Sequence, residues 1–221
     1  MAAAAGAQAD IIRAEYAEPT SRYAHGVLGD DIEYGALLLK RDGHPNTRFI
    51  LPETRVFEDV APRLHDVDGD GDNEVIVVES EAQTGAQLAI YDESGKIAAT
   101  PHIGTRNRWL APIGVADLDG DGFVEVAYID RPHLAKTLRV WRFKDGALTP
   151  VADLAGLSNH RIGERDIGGG IRDCGTGPEL ITASANWRDV MATVLRGGQL
   201  TTRRIGNHSG RASLKSALEC K

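Results

Sequence analysis

The stretch Asp66-Val67-Asp68-Gly69-Asp70-Gly71-Asp72-Asn73-Glu74 recurs 51 residues later as Asp117-Leu118-Asp119-Gly120-Asp121-Gly122-Phe123-Val124-Glu125. Each copy places at least four carboxylates within nine residues. Negative charges at such spacing repel one another unless a cation lies among them, and Ca²⁺ prefers cages made of oxygen ligands. The two copies are therefore predicted to be calcium loops, and the alternative is a pair of solvated acidic turns without metal.

These loops differ from the calcium loop of an EF-hand, which needs a bidentate Glu at its twelfth position and a helix on each side. The twelfth position is Val77 in one copy and Tyr128 in the other, and each copy leads into β-branched and aromatic residues typical of a buried strand. Each loop is thus expected to join two strands. The expected ligands are the carboxylates of Asp66, Asp68, Asp70 and Glu74 with the Asp72 carbonyl, and those of Asp117, Asp119, Asp121 and Glu125 with the Phe123 carbonyl.

This pattern resembles the FG-GAP or VCBS repeat family, the calcium-loop β-propellers whose relatives include the integrin α-subunit head. The resemblance covers most of the chain as a repeat, but only two loops carry the full motif. It implies an all-β propeller that binds two Ca²⁺ ions.

A second marker fixes the length of the repeat. Glycines in turn sequences stand at Gly43, Gly95, Gly146 and Gly198, at spacings of 52, 51 and 52 residues. A glycine there supplies the positive φ that tight hairpins need. A repeat of about 50 residues corresponds to one propeller blade of four strands, named A to D, with the acidic loop between A and B. The sequence predicts a small β-propeller of four blades, with five as the alternative.

The two ends of the chain are expected to share one blade. Strand B of the first blade is predicted near residues 22–27, with C and D near 34–41 and 47–52, and residues 210–219 are predicted to supply its strand A. Blade four keeps only Asp173 and Glu179 at ligand positions, so no tight calcium binding is expected there. Cys174 and Cys220 would then be neighbours and form a disulfide, and two free thiols are the alternative.

The length and composition of the chain fit one closed all-β domain. Residues 10–221 are predicted to form one propeller domain, and residues 1–9, rich in alanine, are either the remnant of a secretory signal or a disordered terminus. Calcium loops of moderate affinity stay filled only where Ca²⁺ is abundant, so a secreted or periplasmic location is expected. The net charge of −7 gives no sign of nucleic-acid binding, no segment is apolar enough to span a membrane, and a monomer is expected.

The loops opposite the acidic ones have a different composition. Arginine, histidine and tryptophan recur there, and such side chains recognise carboxylates, phosphates and sugars. The candidate ligand residues are Arg22, Arg108, Trp109, His160, Arg161, Trp187, Arg188 and His208. The alternative is that they cap loop backbone groups and pack between blades.

The chain contains no G-x-S-x-G, H-E-x-x-H, phosphate-loop or dinucleotide-binding motif. The favoured function is a binding or adhesion module for a protein, a glycan or a small anionic ligand. A hydrolytic enzyme or a lectin acting through the arginine, histidine and tryptophan face is the alternative, and a purely structural partner is the third reading.

Overall fold

The computed structural model describes residues 10–221, which form antiparallel sheets and one short helix. The predicted signal remnant at residues 1–9 lies outside the described residues. The all-β class expected from the sequence is confirmed.

The first sheet has eight strands in the order β1-β2-β4-β6-β7-β8, with β3 paired to β2 and β5 paired to β6. Its strands are β1 (Ile11–Thr20), β2 (Glu33–Arg41), β3 (Thr47–Ile50), β4 (Arg55–Phe57), β5 (Arg63–His65), β6 (Glu74–Glu81), β7 (Gly85–Tyr91) and β8 (Lys96–Ala99). The short strand β4 pairs with both β2 and β6, so it joins the N-terminal strands to the rest of this sheet.

Two further sheets follow in chain order. The second comprises β9 (Leu110–Ala116), β10 (Glu125–Asp130), β11 (Thr137–Lys144) and β12 (Ala147–Ala155). The third comprises β13 (Leu157–Ser158), β14 (Gly170–Asp173), β15 (Pro178–Ser184), β16 (Asp189–Arg196) and β17 (Gln199–Asn207), and the helix α1 (Arg211–Leu218) ends the chain.

The predicted four-strand repeat is present three times, as β5–β8, β9–β12 and β14–β17, which we call units two, three and four. In each, successive strands pair antiparallel, and the acidic loops join β5 to β6 and β9 to β10. The four turn glycines all have positive φ: Gly43 64°, Gly95 142°, Gly146 73° and Gly198 72°. The repeat length read from these glycines is therefore confirmed.

The core lies between neighbouring units. Alternate residues of β6 and β7 pack toward unit three, where Ile76 and Leu88 join one buried cluster with Val126 and Tyr128. The other faces of β10 and β11 pack toward unit four through Ile129 and Leu138, which share a cluster with Leu180. Because a strand presents its side chains alternately to both faces, each middle unit is apolar on both sides.

The N-terminal unit differs from the prediction. Strands C and D match β2 and β3, but residues 22–27 form turns, and the strand beside β2 is β1, which pairs along its length from Ile11 to Thr20. The reason lies in the side chains of the 22–27 segment. The Arg22 guanidinium donates to the Arg55 carbonyl, the Tyr23 hydroxyl accepts from the Asn107 N–H at 2.9 Å, and Gly26 has φ 67°.

The C-terminal prediction is wrong. Residues 211–218 form the helix α1 instead of a strand, so the N- and C-terminal strands do not share a blade. Leu214 and Leu218 are spaced by one helical turn, and the segment lacks the β-branched residues that favour strands. Leu214 and Ala217 are buried against Ile181, Val190 and Ala192 of unit four. The helix therefore covers the face of unit four that a neighbouring sheet was expected to cover.

Candidate calcium sites and the opposite face

The first acidic loop (residues 66–74) folds around its own carboxylates. Asp66 accepts from the Gly69 N–H with Oδ1 at 2.7 Å and from the Gly71 N–H with Oδ2 at 3.1 Å. One oxygen from each of Asp66, Asp68 and Asp70 lies within 4.8 Å of the others. The glycines allow this turn because Gly69 and Gly71 take φ values of 79° and 99°.

Glu74 ends the first loop and is the first residue of β6. It is 5% exposed, and its Oε2 accepts from the Val67 N–H at 2.8 Å. Burial, together with the nearby carboxylates of Asp68, Asp70 and Asp66, raises the pKa of Glu74 to about 7 despite the lowering effect of the Val67 N–H. The charged form of this loop is thus unfavourable until a cation is added.

The second acidic loop (residues 117–125) repeats these hydrogen bonds. Asp117 accepts from the Gly120 N–H at 2.7 Å and from the Gly122 N–H at 2.9 Å, and Glu125 Oε2 accepts from the Leu118 N–H at 2.9 Å. One oxygen from each of Asp117, Asp119 and Glu125 lies within 4.8 Å of the others. Asp121 lies outside that group and accepts from the Phe123 N–H at 3.0 Å.

The donor atoms of both loops fit a hard divalent cation. All predicted ligands are oxygens, which suits Ca²⁺ and not the softer transition metals. In the second loop Asp119 Oδ1 is buried and has no hydrogen-bond partner within residues 10–221, which leaves a lone pair free for an ion. An ion held by the predicted ligand set would neutralise the clustered carboxylates and hold each turn to the strand that follows it.

Arg142 on β11 is a feature of the second loop that the motif did not reveal. Its Nε donates to Glu125 Oε1 at 2.6 Å, its Nη2 to Asp119 Oδ2 at 3.0 Å, and its Nη1 to Asp121 Oδ2 at 2.7 Å. The arginine reaches the loop because the β10–β11 register places it directly across from Glu125. Residue spacing carries no signal for this contact, since it depends on the register of a neighbouring strand.

The corresponding loop of unit four is held by arginines. Glu179 is 3% exposed, and it accepts from Arg172 Nη2 at 2.6 Å and from Arg203 Nη2 at 2.5 Å. Asp173 accepts from the Gly175 and Gly177 N–H groups, as the first aspartate does in the other loops. The acidic group at this position is therefore neutralised by guanidinium groups.

On the opposite face, several predicted ligand residues make contacts within the fold. Trp109 is 2% exposed, and its Nε1 donates to the Glu58 carbonyl at 2.8 Å. His160 is buried between His133, at 3.0 Å from Nδ1, and the Glu164 carbonyl, at 2.9 Å from Nε2. Arg22 donates to the carbonyls of Pro52 and Arg55, so its guanidinium caps a neighbouring loop.

Three other predicted residues come together near the end of unit four. The Arg161 guanidinium lies 4.4 Å from the centre of the Trp187 ring, and the His208 ring packs edge-on against Trp187 at 5.2 Å. His208 Nε2 is buried without a hydrogen-bond partner in the described part of the chain. Arg161 and Arg188 are exposed, Arg188 follows Trp187 in the β15–β16 loop, and Arg108 lies apart, next to Gly104.

Sequence reasoning missed a polar group beside Trp109. His25 Nδ1 lies 2.5 Å from Glu58 Oε1, and the other oxygen of the fully buried Glu58 accepts from Ser80 Oγ. His25, Trp109, Arg131 and His133 line a cavity of about 30 Å³, enough for a water molecule. Burial, with the neighbouring His160, lowers the pKa of His133 to about 4, so this imidazole is neutral at pH 7.

The two cysteines form a disulfide between Cys174 and Cys220, with Cα atoms 5.8 Å apart. The pairing is the one expected from the sequence. It joins the β14–β15 turn to the end of α1, and thus fixes a helix where a closing strand was expected.

Comparison with known proteins supports the reading of the acidic loops. Residues 66–128 match the FG-GAP-like repeat, a span that begins at the first aspartate of the first loop and includes the whole second loop. No curated protein and no solved structure matches the chain. Within residues 10–221, no helix is long and apolar enough to cross a membrane.

Proposed function

We propose that this chain is a secreted or periplasmic β-propeller, stabilised by two Ca²⁺ ions, that acts as a binding module for a protein, a glycan or a small anionic ligand. The observation that carries the proposal is the pair of acidic loops: in each, three carboxylates converge and the first aspartate accepts from a glycine N–H. The FG-GAP-like repeat over the same residues supports it. The Cys174–Cys220 disulfide favours an oxidising compartment, where such bonds persist.

Four units around a common axis are part of this proposal. The N-terminal unit contacts the β13–β14 loop that leads into unit four: the Gly163 N–H donates to the Val27 carbonyl at 3.0 Å, and Gly29 lies against Gly163 and Arg165. These loop contacts would bring the first and last units together at the opposite face. Ring closure would then depend on loops, with α1 lying on unit four.

The ligand surface that we favour is formed by the exposed Arg161 and Arg188 with the half-buried Trp187 and His208. A guanidinium over an indole ring suits an anionic or sugar-like ligand because the arginine supplies paired donors and the ring a flat apolar face. Trp109, His160 and Arg22 are less suited, since their polar atoms are engaged within the fold.

Calcium titration of protein stripped with EDTA tests the stabilising role of the ion. We expect two bound Ca²⁺ ions by isothermal titration calorimetry and a higher melting temperature in calcium than in EDTA, because binding to the folded state stabilises it by mass action. Asp68→Ala and Asp119→Ala should each remove one site. Glu53→Gln, at a side chain that is 90% exposed, is the control and should keep both. Absence of any calcium binding would refute the proposal.

Ligand capture tests the surface. A glycan array and a panel of anionic small molecules, probed with calcium-loaded protein, should give binding that Arg161→Ala and Trp187→Ala weaken by at least about tenfold, or about 1.4 kcal/mol. Arg13→Ala, at an exposed position of β1, is the matched control. Equal binding by all three variants would exclude this surface. It would also be excluded if Arg161→Ala and Trp187→Ala lost more than about 2 kcal/mol of stability with no selective loss of binding.

A further inference from the structure

We infer that Arg142 is a built-in counter-cation of the second acidic loop, that it competes with Ca²⁺ there, and that the first loop relies on the ion alone. The inference rests on the proposed calcium binding and adds to it an unequal dependence of the two sites on calcium.

The contacts of Arg142 involve the atoms that an ion would need. Its three nitrogens donate to Glu125 Oε1, Asp119 Oδ2 and Asp121 Oδ2 at 2.6, 3.0 and 2.7 Å. The side chain is 21% exposed and carries a full positive charge, because arginine does not deprotonate in proteins. A carboxylate oxygen engaged by a guanidinium is a poorer ligand, so calcium has to displace part of this network.

The first loop has no equivalent arginine. The β6–β7 register pairs Val75 with Tyr91, which puts Asp92 at the position across from Glu74, where unit three has Arg142 across from Glu125. Asp92 supplies no cation there, and its Oδ1 is engaged by the Ser94 and Gly95 N–H groups of its own turn. The first loop therefore combines more carboxylates with no guanidinium contact within residues 10–221.

In unit four, guanidinium groups neutralise the acidic group that closes the loop. Its loop lacks the middle aspartates, and Glu179 is held by Arg172 and Arg203 at 2.6 and 2.5 Å. The three loops thus form a series. The first has carboxylates alone, the second has carboxylates and one arginine, and the third has arginines with few carboxylates left.

The test is Arg142→Met, which removes the charge and keeps much of the side-chain volume. Calorimetric titration of EDTA-stripped protein with CaCl₂ should show that the parent binds the first site more tightly than the second. The variant should bind calcium at the second site at least about tenfold more tightly than the parent, or about 1.4 kcal/mol. In EDTA the variant should melt at a lower temperature than the parent, because its carboxylates have lost their partner.

Two controls separate competition from a general effect of charge. Lys144→Met removes a positive charge from the same strand, where Lys144 Nζ lies 4.4 Å from the Phe123 ring centre, and should leave both affinities within about twofold. Arg142→Lys keeps the charge without the three-pronged contact, so its affinity should lie between those of the parent and the methionine variant. Asp68→Ala identifies which step of the titration belongs to the first loop.

If Arg142→Met does not refold without calcium, it can be prepared in calcium and mixed with a fluorescent chelator, and calcium should leave its second site more slowly than in the parent. Unchanged or weaker binding at that site, with two sites still filled, would overturn the role of Arg142 and leave the proposed function standing. Loss of all calcium binding in the parent would instead defeat the proposed function.

Discussion

Glu33, the first residue of β2, is 2% exposed and lies among other acids. Burial raises its pKa to about 9, and the charges of Glu58, Asp30, Asp59 and Asp31 act in the same direction. Glu79 is buried to the same degree, but it is held by Gln87 at 2.9 Å and Lys96 at 3.0 Å. Two buried carboxyl groups on β2 and β6, the strands on either side of β4, thus have opposite environments, and Glu33 is protonated at neutral pH.

The protonation of Glu33 predicts a pH dependence of stability. The folded state keeps the proton between the unfolded pKa of 4.5 and the folded value of about 9, so stability falls as the pH rises through this window. Glu33→Gln should remove that loss. We expect the difference in free energy of unfolding between Glu33→Gln and the parent to rise by at least about 1.4 kcal/mol from pH 5 to pH 8, as measured by urea titration.

Glu53→Gln, at an exposed position, is the control for Glu33→Gln and should run parallel to the parent at every pH. A constant difference between Glu33→Gln and the parent across the pH range would show that Glu33 ionises normally.

Trp109 and Trp187 look equivalent in the sequence, because each lies next to an arginine in a loop on the face opposite the acidic loops. Of these two side chains, only that of Trp109 is buried. Trp109→Phe should cost about 1–3 kcal/mol of stability, because the Glu58 carbonyl loses its buried donor. Trp187→Phe should cost less than about 1 kcal/mol, because Trp187 is half-buried. Chemical denaturation of both variants measures this difference, and equal costs would contradict the assignment of Trp109 to the core.

At the scale of single elements, the turn glycines and most strands could be predicted because they are local. Gly43, Gly95, Gly146 and Gly198 need only a positive φ, and each has open space around the position of a side chain. The helix α1 could not be predicted from the repeat, because residues 211–218 do not follow it. The spacing of Leu214, Ala217 and Leu218 was the signal available there.

The packing of α1 on unit four predicts a large effect of Leu214. This side chain is 3% exposed and contacts the apolar face of β15 and β16, so Leu214→Ala should destabilise the protein by about 2–5 kcal/mol. Lys215→Ala, one residue on and exposed, should change stability by less than about 0.5 kcal/mol. A Leu214→Ala protein as stable as the parent in thermal melting would mean that α1 does not dock in solution.

The disulfide predicts a second effect on the same helix. It closes a separation of 46 residues, and the chain-entropy estimate for such a loop is about 4 kcal/mol. Cys174→Ser/Cys220→Ser should therefore lower the free energy of unfolding by a comparable amount, seen as a lower denaturant midpoint. The proposed calcium binding by the first two loops should persist. An unchanged midpoint would contradict this estimate.

At the scale of the whole molecule, each unit buries its faces against its neighbours. The cluster between units two and three and the cluster between units three and four use opposite faces of β10 and β11, so unit three cannot unfold without exposing both. The pairing of β4 with both β2 and β6 joins the N-terminal unit to unit two in the same way. These shared interfaces favour one cooperative unfolding event.

Scanning calorimetry of the calcium-loaded protein should therefore show one transition. Its enthalpy should be about 150 kcal/mol, from roughly 0.7 kcal/mol per residue near 60 °C, and should agree with the van't Hoff value. The same scan in EDTA should move to lower temperature and keep a single peak. Two resolved peaks in calcium would indicate that the units unfold separately.

The arrangement of units could be predicted only in part. The repeat length gave the strands of units two to four, since each repeats the same local pattern. Three features depended on contacts between distant residues, which no repeat encodes. These were the pairing of β1 with β2, the placing of Arg142 across from Glu125, and the burial of Trp109 and His160.

Both ends of the described chain lie beside acidic-loop turns. Asp10 accepts from the Asn73 N–H at 2.9 Å and from Asn73 Nδ2 at 2.8 Å, and Cys220 is bonded to Cys174 in the corresponding turn of unit four. The loops that carry Arg161 and Trp187 are at the other ends of the strands. A bead or sensor chip coupled at Lys221 would therefore lie on the side of the acidic loops. The surface around Trp187 would face the solution, where a candidate partner could reach it.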